Sequence, residues 1–132
     1  YQRPWVMVAS DGGIGMRHPR GAGTFPRVLG LYVRERKWLT LEEAIRKMSA
    51  FPASRLGLRD RGLIKPGMKA DLVIFNPYKL IDQSTMIQPA LEPVGVLNVF
   101  VNGVAVVSEG KATGARPGEV LRHDPTKSGK SK

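Results

Sequence analysis

The residues able to do chemistry crowd into one stretch near the start of the chain, "WVMVASDGGIGMRHPRGAGTF". An apolar run, Trp5 to Ala9, stops at Ser10 and Asp11, and Gly12 and Gly13 follow. A carboxylate there has two readings. An Asp before Gly-Gly most often opens a turn. It can also stand at a catalytic mouth, where a carboxylate takes a proton from one atom and returns it to another. Arg20, further along the loop, presents a planar fork that grips a carboxylate through two parallel hydrogen bonds. Taken alone, a loop arginine is usually a solvated surface charge. His18 is by type a ligand, a proton shuttle or a hydrogen-bonding scaffold. With Pro19 beside it and no His-x-His spacing, scaffold is the simplest of the three. Gly12 and Gly13 suit a backbone turning close past a substrate. No phosphate-loop or dinucleotide pattern accompanies them. Arg17, Arg27 and Arg34 read as exposed charge, and His123 as a solvated residue near the tail.

These residues need elements to position them. Val6 to Ala9 is continuously apolar, the pattern of a strand buried on both faces in a parallel sheet. A glycine-rich loop carries the chain to "TFPRVLGLYVRER", which predicts a helix capped by Thr24, with Pro26 near its start and Val28, Leu29, Tyr32 and Val33 on one face. "LTLEEAIRKMSAF" predicts a second helix. Thr40 and Glu43 have capping-box spacing, and Leu41, Ala44, Ile45 and Met48 make the buried stripe. Pro52 stops that helix and opens a short one that Gly57 ends. After Asp60 the character changes. Pro66-Gly67 predicts a turn before a strand over Ala70 to Phe75, and residues 76–95 read as irregular. Asn102-Gly103 between two β-branched runs specifies a tight hairpin, because both residues tolerate positive φ. "ARPGEVL" predicts another turn leading to a short strand, and the tail from Asp124 lacks the apolar residues needed for order. There is no internal repeat.

The totals bound the class. A chain of 132 residues makes one modest domain. It has no hydrophobic leader at Tyr1 and no stretch approaching a membrane span. It has no cysteine, which excludes disulfides and Cys-based metal sites within it and is compatible with a cytoplasmic location. The net charge of +10 is scattered, with part of it in the tail "KSGKSK", and aromatics do not alternate with basic residues. That favours a solvated surface over a nucleic-acid face. One buried strand without partner strands points to part of something larger.

Four segments together carry a family pattern. They are "SDG" after an apolar run, "HPRGAGTFPRVLGLYVRE", "LTLEEAIRKMSAFPASRLGLRDRGLIKPGMKADLVIFNP" and "VFVNGVAVVSEGKATGARPGEVLR". Over about Pro4 to Arg122 the chain resembles the C-terminal portion of the D-aminoacylases, the N-acyl-D-amino-acid deacylases of the amidohydrolase superfamily. "GLIKPGMKADLVIF" and "VNGVAVV" resemble the superfamily at large; "HPR…GTFPRVLG" is closer to the deacylase branch.

The resemblance implies an α/β plus β fold: the last strand and covering helices of a metal-dependent (β/α)8 barrel, followed by part of a small β-sandwich. Residues 1–60 would then be the end of the barrel, 61–123 the sandwich segment and 124–132 a disordered basic tail. It implies hydrolysis of N-acyl-D-amino acids to a D-amino acid and a carboxylate, with zinc as the cofactor. Asp11 would carry the proton between water and the leaving nitrogen and would be a candidate metal contact. Arg20 would bind the substrate's α-carboxylate, beside Gly12 and Gly13, with His18 as scaffold. The family's other metal ligands come from earlier strands, so a partner is the remainder of the barrel, and the chain alone is expected to be inactive. Two other readings stand beside this one. One is a hydantoinase- or dihydroorotase-like hydrolase of cyclic amides, against which "HPRGAGTFPRVLG" argues. The other is a stand-alone basic binding module without catalysis.

Overall fold

A computed structural model describes residues 1–13, 15 and 17–122. The predicted tail and His123 lie outside the described residues. Helices occupy the middle of the chain and an antiparallel sheet the C-terminal part. Helix α1 (Arg20–Arg27) runs directly into a π-helical segment (Val28–Glu35), followed by α2 (Leu41–Met48) and α3 (Ala50–Arg55). The sheet is a meander of β1 (Leu72–Phe75), β2 (Val96–Val101), β3 (Val104–Ser108) and the two-residue β4 (Lys111–Ala112).

Among the described residues the apolar run before Asp11 finds no strand to pair with and forms no strand of its own, and its Val8 N–H instead donates to the Lys47 carbonyl at 3.1 Å. Its burial alternates rather than being two-sided. Trp5, Met7 and Ala9 are exposed, Val6 and Ser10 half-buried and Val8 buried. Val6 and Val8 rest on α2, through Lys47 and Ala44. The odd positions face open space, because no described residue packs over that side of the run.

Helix α1 starts at Arg20, four residues before the predicted cap at Thr24. The Thr24 hydroxyl donates back to the Arg20 carbonyl at 2.8 Å, as a threonine inside a helix does. Pro26 therefore lies within the helix, where it withholds an N–H from the α ladder. The wider π turn follows, and its last step runs from Arg36 N–H to the Leu31 carbonyl at 2.8 Å. Val28, Ala44 and Val8 form the core, with Leu29, Tyr32, Val33, Leu39 and Met48 against it. Tyr32 also stacks on Trp38, with ring centroids 5.1 Å apart.

Thr40 does cap α2: its Oγ1 accepts Glu43 N–H at 3.2 Å. The reciprocal half of the box is not made, because the Glu43 carboxylate turns to Arg46 (2.8 Å) and Lys47 (3.4 Å). The buried stripe also differs from prediction. Ile45 is 40% exposed, and Lys47 is buried in its stead. Lys47 tolerates burial because Nζ donates to the carbonyls of Arg3 and Val6 (3.1 Å) while pairing with Glu43. One side chain and one carbonyl of Lys47 thus hold the run leading to Asp11. The break after α2 falls at Ser49, ahead of Pro52, which sits inside α3; Gly57 ends α3 at φ 73°.

In the sheet, Asn102 (φ 49°) and Gly103 (φ 80°) form the predicted tight turn. Asn102 is held further by Asp71, whose Oδ1 accepts its N–H at 2.8 Å, and by Arg61, which donates to its Oδ1 at 2.9 Å. The Asn102 N–H, then Arg61, hold the Asp71 carboxyl below its ordinary range. Pro66-Gly67 turns as predicted, with Met68 N–H donating to the Lys65 carbonyl. "ARPGEVL" forms no strand. The extra strand is β4, paired through Ser108↔Lys111 around Glu109-Gly110, both at positive φ. The stretch 76–95 is irregular but anchored, by the bridge Ile81↔Val94 and by Asn76 Oδ1, which accepts the N–H groups of Tyr78 and Lys79.

Candidate functional site

The glycine-rich loop folds back so that its one carboxylate meets an arginine at its far end. Asp11 ends the apolar run at φ 50°, a left-handed conformation that Asp tolerates better than most residues. Ser10 Oγ accepts Gly12 N–H at 3.1 Å and so tightens the turn around Asp11. Arg20 NH2 lies 2.7 Å from Asp11 Oδ2. Both side chains are open to solvent, 46% exposed for Arg20 and 78% for Asp11. Such a pair is worth less than about 1 kcal/mol, so an incoming carboxylate can compete for the guanidinium.

The sequence placed Arg20 in a loop; the structure makes it the first residue of α1. Its N–H donates to His18 Nδ1 at 3.1 Å, and Gly21 N–H donates to the His18 carbonyl at 3.0 Å. His18 thus satisfies two of the N–H groups that a helix start leaves open. Gly12 lies against this first turn, where a Cβ would come within 3.1 Å of Gly21 Cα, whereas Gly13 has nothing within 4 Å. The structure therefore brings Asp11, Arg20, His18 and Gly12 together and leaves Gly13 at the open side. Arg17 is exposed.

Two arginines do something other than predicted. Arg27 and Arg34 are not simply exposed faces of their helix, because both bind the irregular stretch after β1. Arg27 donates to Asp82 Oδ2 through Nε (3.0 Å) and NH2 (2.7 Å), and Arg34 NH1 donates to the Leu80 carbonyl at 2.7 Å. The hydrogen bonds that Arg27 donates to the Asp82 carboxylate raise its pKa above its ordinary value. Ser84, buried, donates through Oγ to the Pro19 carbonyl at 3.0 Å, directly before Arg20. Sequence reasoning missed Asp82 and Ser84. The signal was a seven-residue spacing, Arg20, Gly23, Arg27, Gly30, Arg34, which repeats arginine and glycine on neighbouring faces of one helix.

Chemically, the arrangement offers an exposed carboxylate able to move a proton and a guanidinium able to bind an anion beside it. It does not by itself offer a metal site. Among the described residues no three His, Cys, Asp or Glu side chains converge. A lone carboxylate paired with arginine falls short of the three protein ligands that catalytic zinc takes.

Comparison with known proteins gives this arrangement its setting. The model of the amidohydrolase family matches residues 4–107. The chain is 44% identical over 131 residues to the N-acyl-D-glutamate deacylase of Alcaligenes xylosoxydans xylosoxydans, covering 98% of this chain and 27% of that protein. A D-aminoacylase crystal structure superposes with a TM-score of 0.78 at 43% identity, over 83% of this chain and 23% of that one. An N-acyl-D-glutamate deacylase from Bordetella bronchiseptica, solved with zinc and a phosphonate mimic of the tetrahedral intermediate, gives 0.76 at 44%, over 84% of this chain and 25% of that one. The chain thus spans about a quarter of the length of the relatives it matches. With four-fifths or more of its residues aligned to these proteins, and the family model running from the apolar run before Asp11 into β3, the chain belongs to the amidohydrolase family.

Proposed function

We propose that this chain is the C-terminal part of a zinc-dependent N-acyl-D-amino-acid deacylase and contributes two groups to its active site. The observation that carries the reading is the Asp11–Arg20 contact at 2.7 Å, at the end of an apolar run in a chain of this family. The names of its relatives, N-acyl-D-glutamate deacylase and D-aminoacylase, supply the reaction class. Zinc is supported by its presence in the Bordetella bronchiseptica structure. Its ligands, apart from any contact with Asp11, would come from the three-quarters of the relatives' length that this chain does not span.

On this reading the run Trp5–Ala9 is the last strand of a (β/α)8 barrel, and Asp11 stands at its C-terminal end, where such barrels carry their functional groups. The exposed apolar side chains of Trp5 and Met7 support it, since they suit a face that a barrel interior, packed with side chains of other strands, would cover. Residues 1–60 complete the barrel and 61–123 form part of a sandwich. Asp11 accepts a proton from the attacking water and delivers it to the leaving nitrogen as the amide C–N bond breaks. Arg20 leaves Asp11 for the α-carboxylate of the substrate, which fixes the amide in place and frees the Asp11 oxygens.

Arg20→Ala in the full-length enzyme tests this. The expected result is a KM raised by about tenfold or more for an N-acyl-D-amino acid, with little change for the matching N-acyl amine that lacks the carboxylate. Equal losses on both would remove the carboxylate-binding role.

A further inference from the structure

Helix α1 and its π continuation present arginine and glycine at seven-residue intervals, and one segment, Pro77 to Ser84, lies along them. The two glycines are close approaches. A Cβ at Gly23 would overlap the Ser84 hydroxyl and stand 3.1 Å from Asp82 Oδ2. A Cβ at Gly30 would stand 2.6 Å from the Leu80 carbonyl oxygen and overlap the Ile81 side chain. No other residue type leaves room for the segment at these two points. The flanking arginines then close on it: Arg27 takes Asp82, whose side chain is only 5% exposed, and Arg34 takes the carbonyls of Leu80 and Pro77. Ser84 adds a bond to the Pro19 carbonyl at the helix start.

Of the three arginines in this series, two are committed to the segment, and Arg20 is turned to Asp11. The segment holds the helix on both sides of Pro26, through Gly23 and Ser84 before it and Arg27 and Arg34 after it. What fixes the helix's rotation and its starting residue therefore also fixes where the Arg20 fork points. We infer that Asp82 and Ser84 are positioning residues for substrate-carboxylate recognition. The segment Pro77–Ser84 clamps the glycine track of the helix and so aims Arg20. This rests on the reading of Arg20 given under Proposed function. It extends the recognition machinery to a segment about 60 residues away in sequence, which reaches the helix through Arg27 and the Pro19 carbonyl.

The test uses the full-length zinc-loaded enzyme and two substrates, an N-acyl-D-amino acid and the matching N-acyl amine without the carboxylate. Asp82→Asn weakens the charge pair, and Ser84→Ala removes only one hydrogen bond. Both should raise KM for the carboxylate substrate, by about tenfold for Asp82→Asn and about threefold for Ser84→Ala, while kcat/KM for the carboxylate-free amide stays within about twofold. Asp82→Asn added to Arg20→Ala should cost nothing further on the carboxylate substrate, because the group being aimed is gone. If Asp82→Asn yields no folded enzyme, Ser84→Ala decides. Equal losses on both substrates, or an unchanged KM with a selective Arg20→Ala effect, would overturn the inference and leave the role of Arg20 intact. An Arg20→Ala enzyme with no selective loss would instead remove the reading on which the inference stands.

Discussion

Trp5–Ala9 and Val96–Ser108 are written in the same β-favouring alphabet, yet they fold differently. The second run carries its partner with it. Asn102-Gly103 turns the chain back on itself, and β2 and β3 pair across that turn. The first run has no partner in sequence reach, and its Val8 N–H goes to the carbonyl of a helix residue, Lys47. A strand is a relation between segments rather than a property of one. The difference also divides labour. The hairpin's interactions, between Asn102, Asp71 and Arg61, are spent on holding its own fold, whereas the first run ends in an exposed, left-handed Asp11 paired with Arg20. Substitutions in the hairpin should therefore appear as stability, and those at the end of the run as activity.

The comparison can be broken most sharply at Lys47, which stands in for the missing neighbour of the first run. Lys47→Met keeps the bulk but leaves the carbonyls of Arg3 and Val6 without their donor in a buried place. We expect a loss of about 3 kcal/mol in denaturant unfolding. A change below about 1 kcal/mol would mean that the run is held by other means. A smaller effect belongs to the hairpin. Asn102→Ala removes the bonds to Arg61 and to the Pro117 carbonyl and strains φ 49°, for an expected loss of about 2 kcal/mol. Asn102→Gly, which keeps the backbone geometry, should lose less. If the two cost the same, the turn conformation is not what fixes the hairpin.

The smallest effect is pH-dependent and lies beside Lys47. The Arg46 hydrogen bond, then Lys47, hold the Glu43 carboxyl down to about 2, below its ordinary 4.5. A carboxyl lowered in the folded state stabilises above its ordinary pKa, and that stabilisation is lost as pH falls toward the folded value. The unfolding midpoint should therefore be flat with respect to Glu43 above about pH 4.5 and should decline from there toward about pH 2. Glu43→Gln should flatten that acid limb. An unchanged limb in the variant would place the acid sensitivity elsewhere.

What could be read in advance was what the chain decides within a few residues. Thr40 as cap of α2, Pro66-Gly67, Gly57 at the end of α3 and Asn102-Gly103 each act on backbone groups one to five positions away. Glu109-Gly110 acts the same way, but Glu is an uncommon choice for positive φ, and so the third hairpin strand was misplaced. What could not be read depends on partners far along the chain. Lys47 is a surface residue by type, and only the carbonyls of Arg3 and Val6 make its burial bearable. Arg27 and Arg34 look solvent-facing until residues 77–84 cross them. For the candidate site, the order of Asp11, His18 and Arg20 along one glycine-rich loop was legible. Their contact was not, because it depends on α1 beginning at Arg20.

The account stands most directly on Asp11. The decisive measurement is kcat of the Asp11→Ala full-length enzyme on an N-acyl-D-amino acid, with thermal unfolding recorded on the same sample. The account predicts kcat lower by about 10³-fold, with stability lowered by no more than about 1–2 kcal/mol, the strain of Ala at φ 50° plus the loss of an exposed ion pair. A kcat within about threefold of the parent would contradict a proton-carrying role and return Asp11 to the opening of a turn.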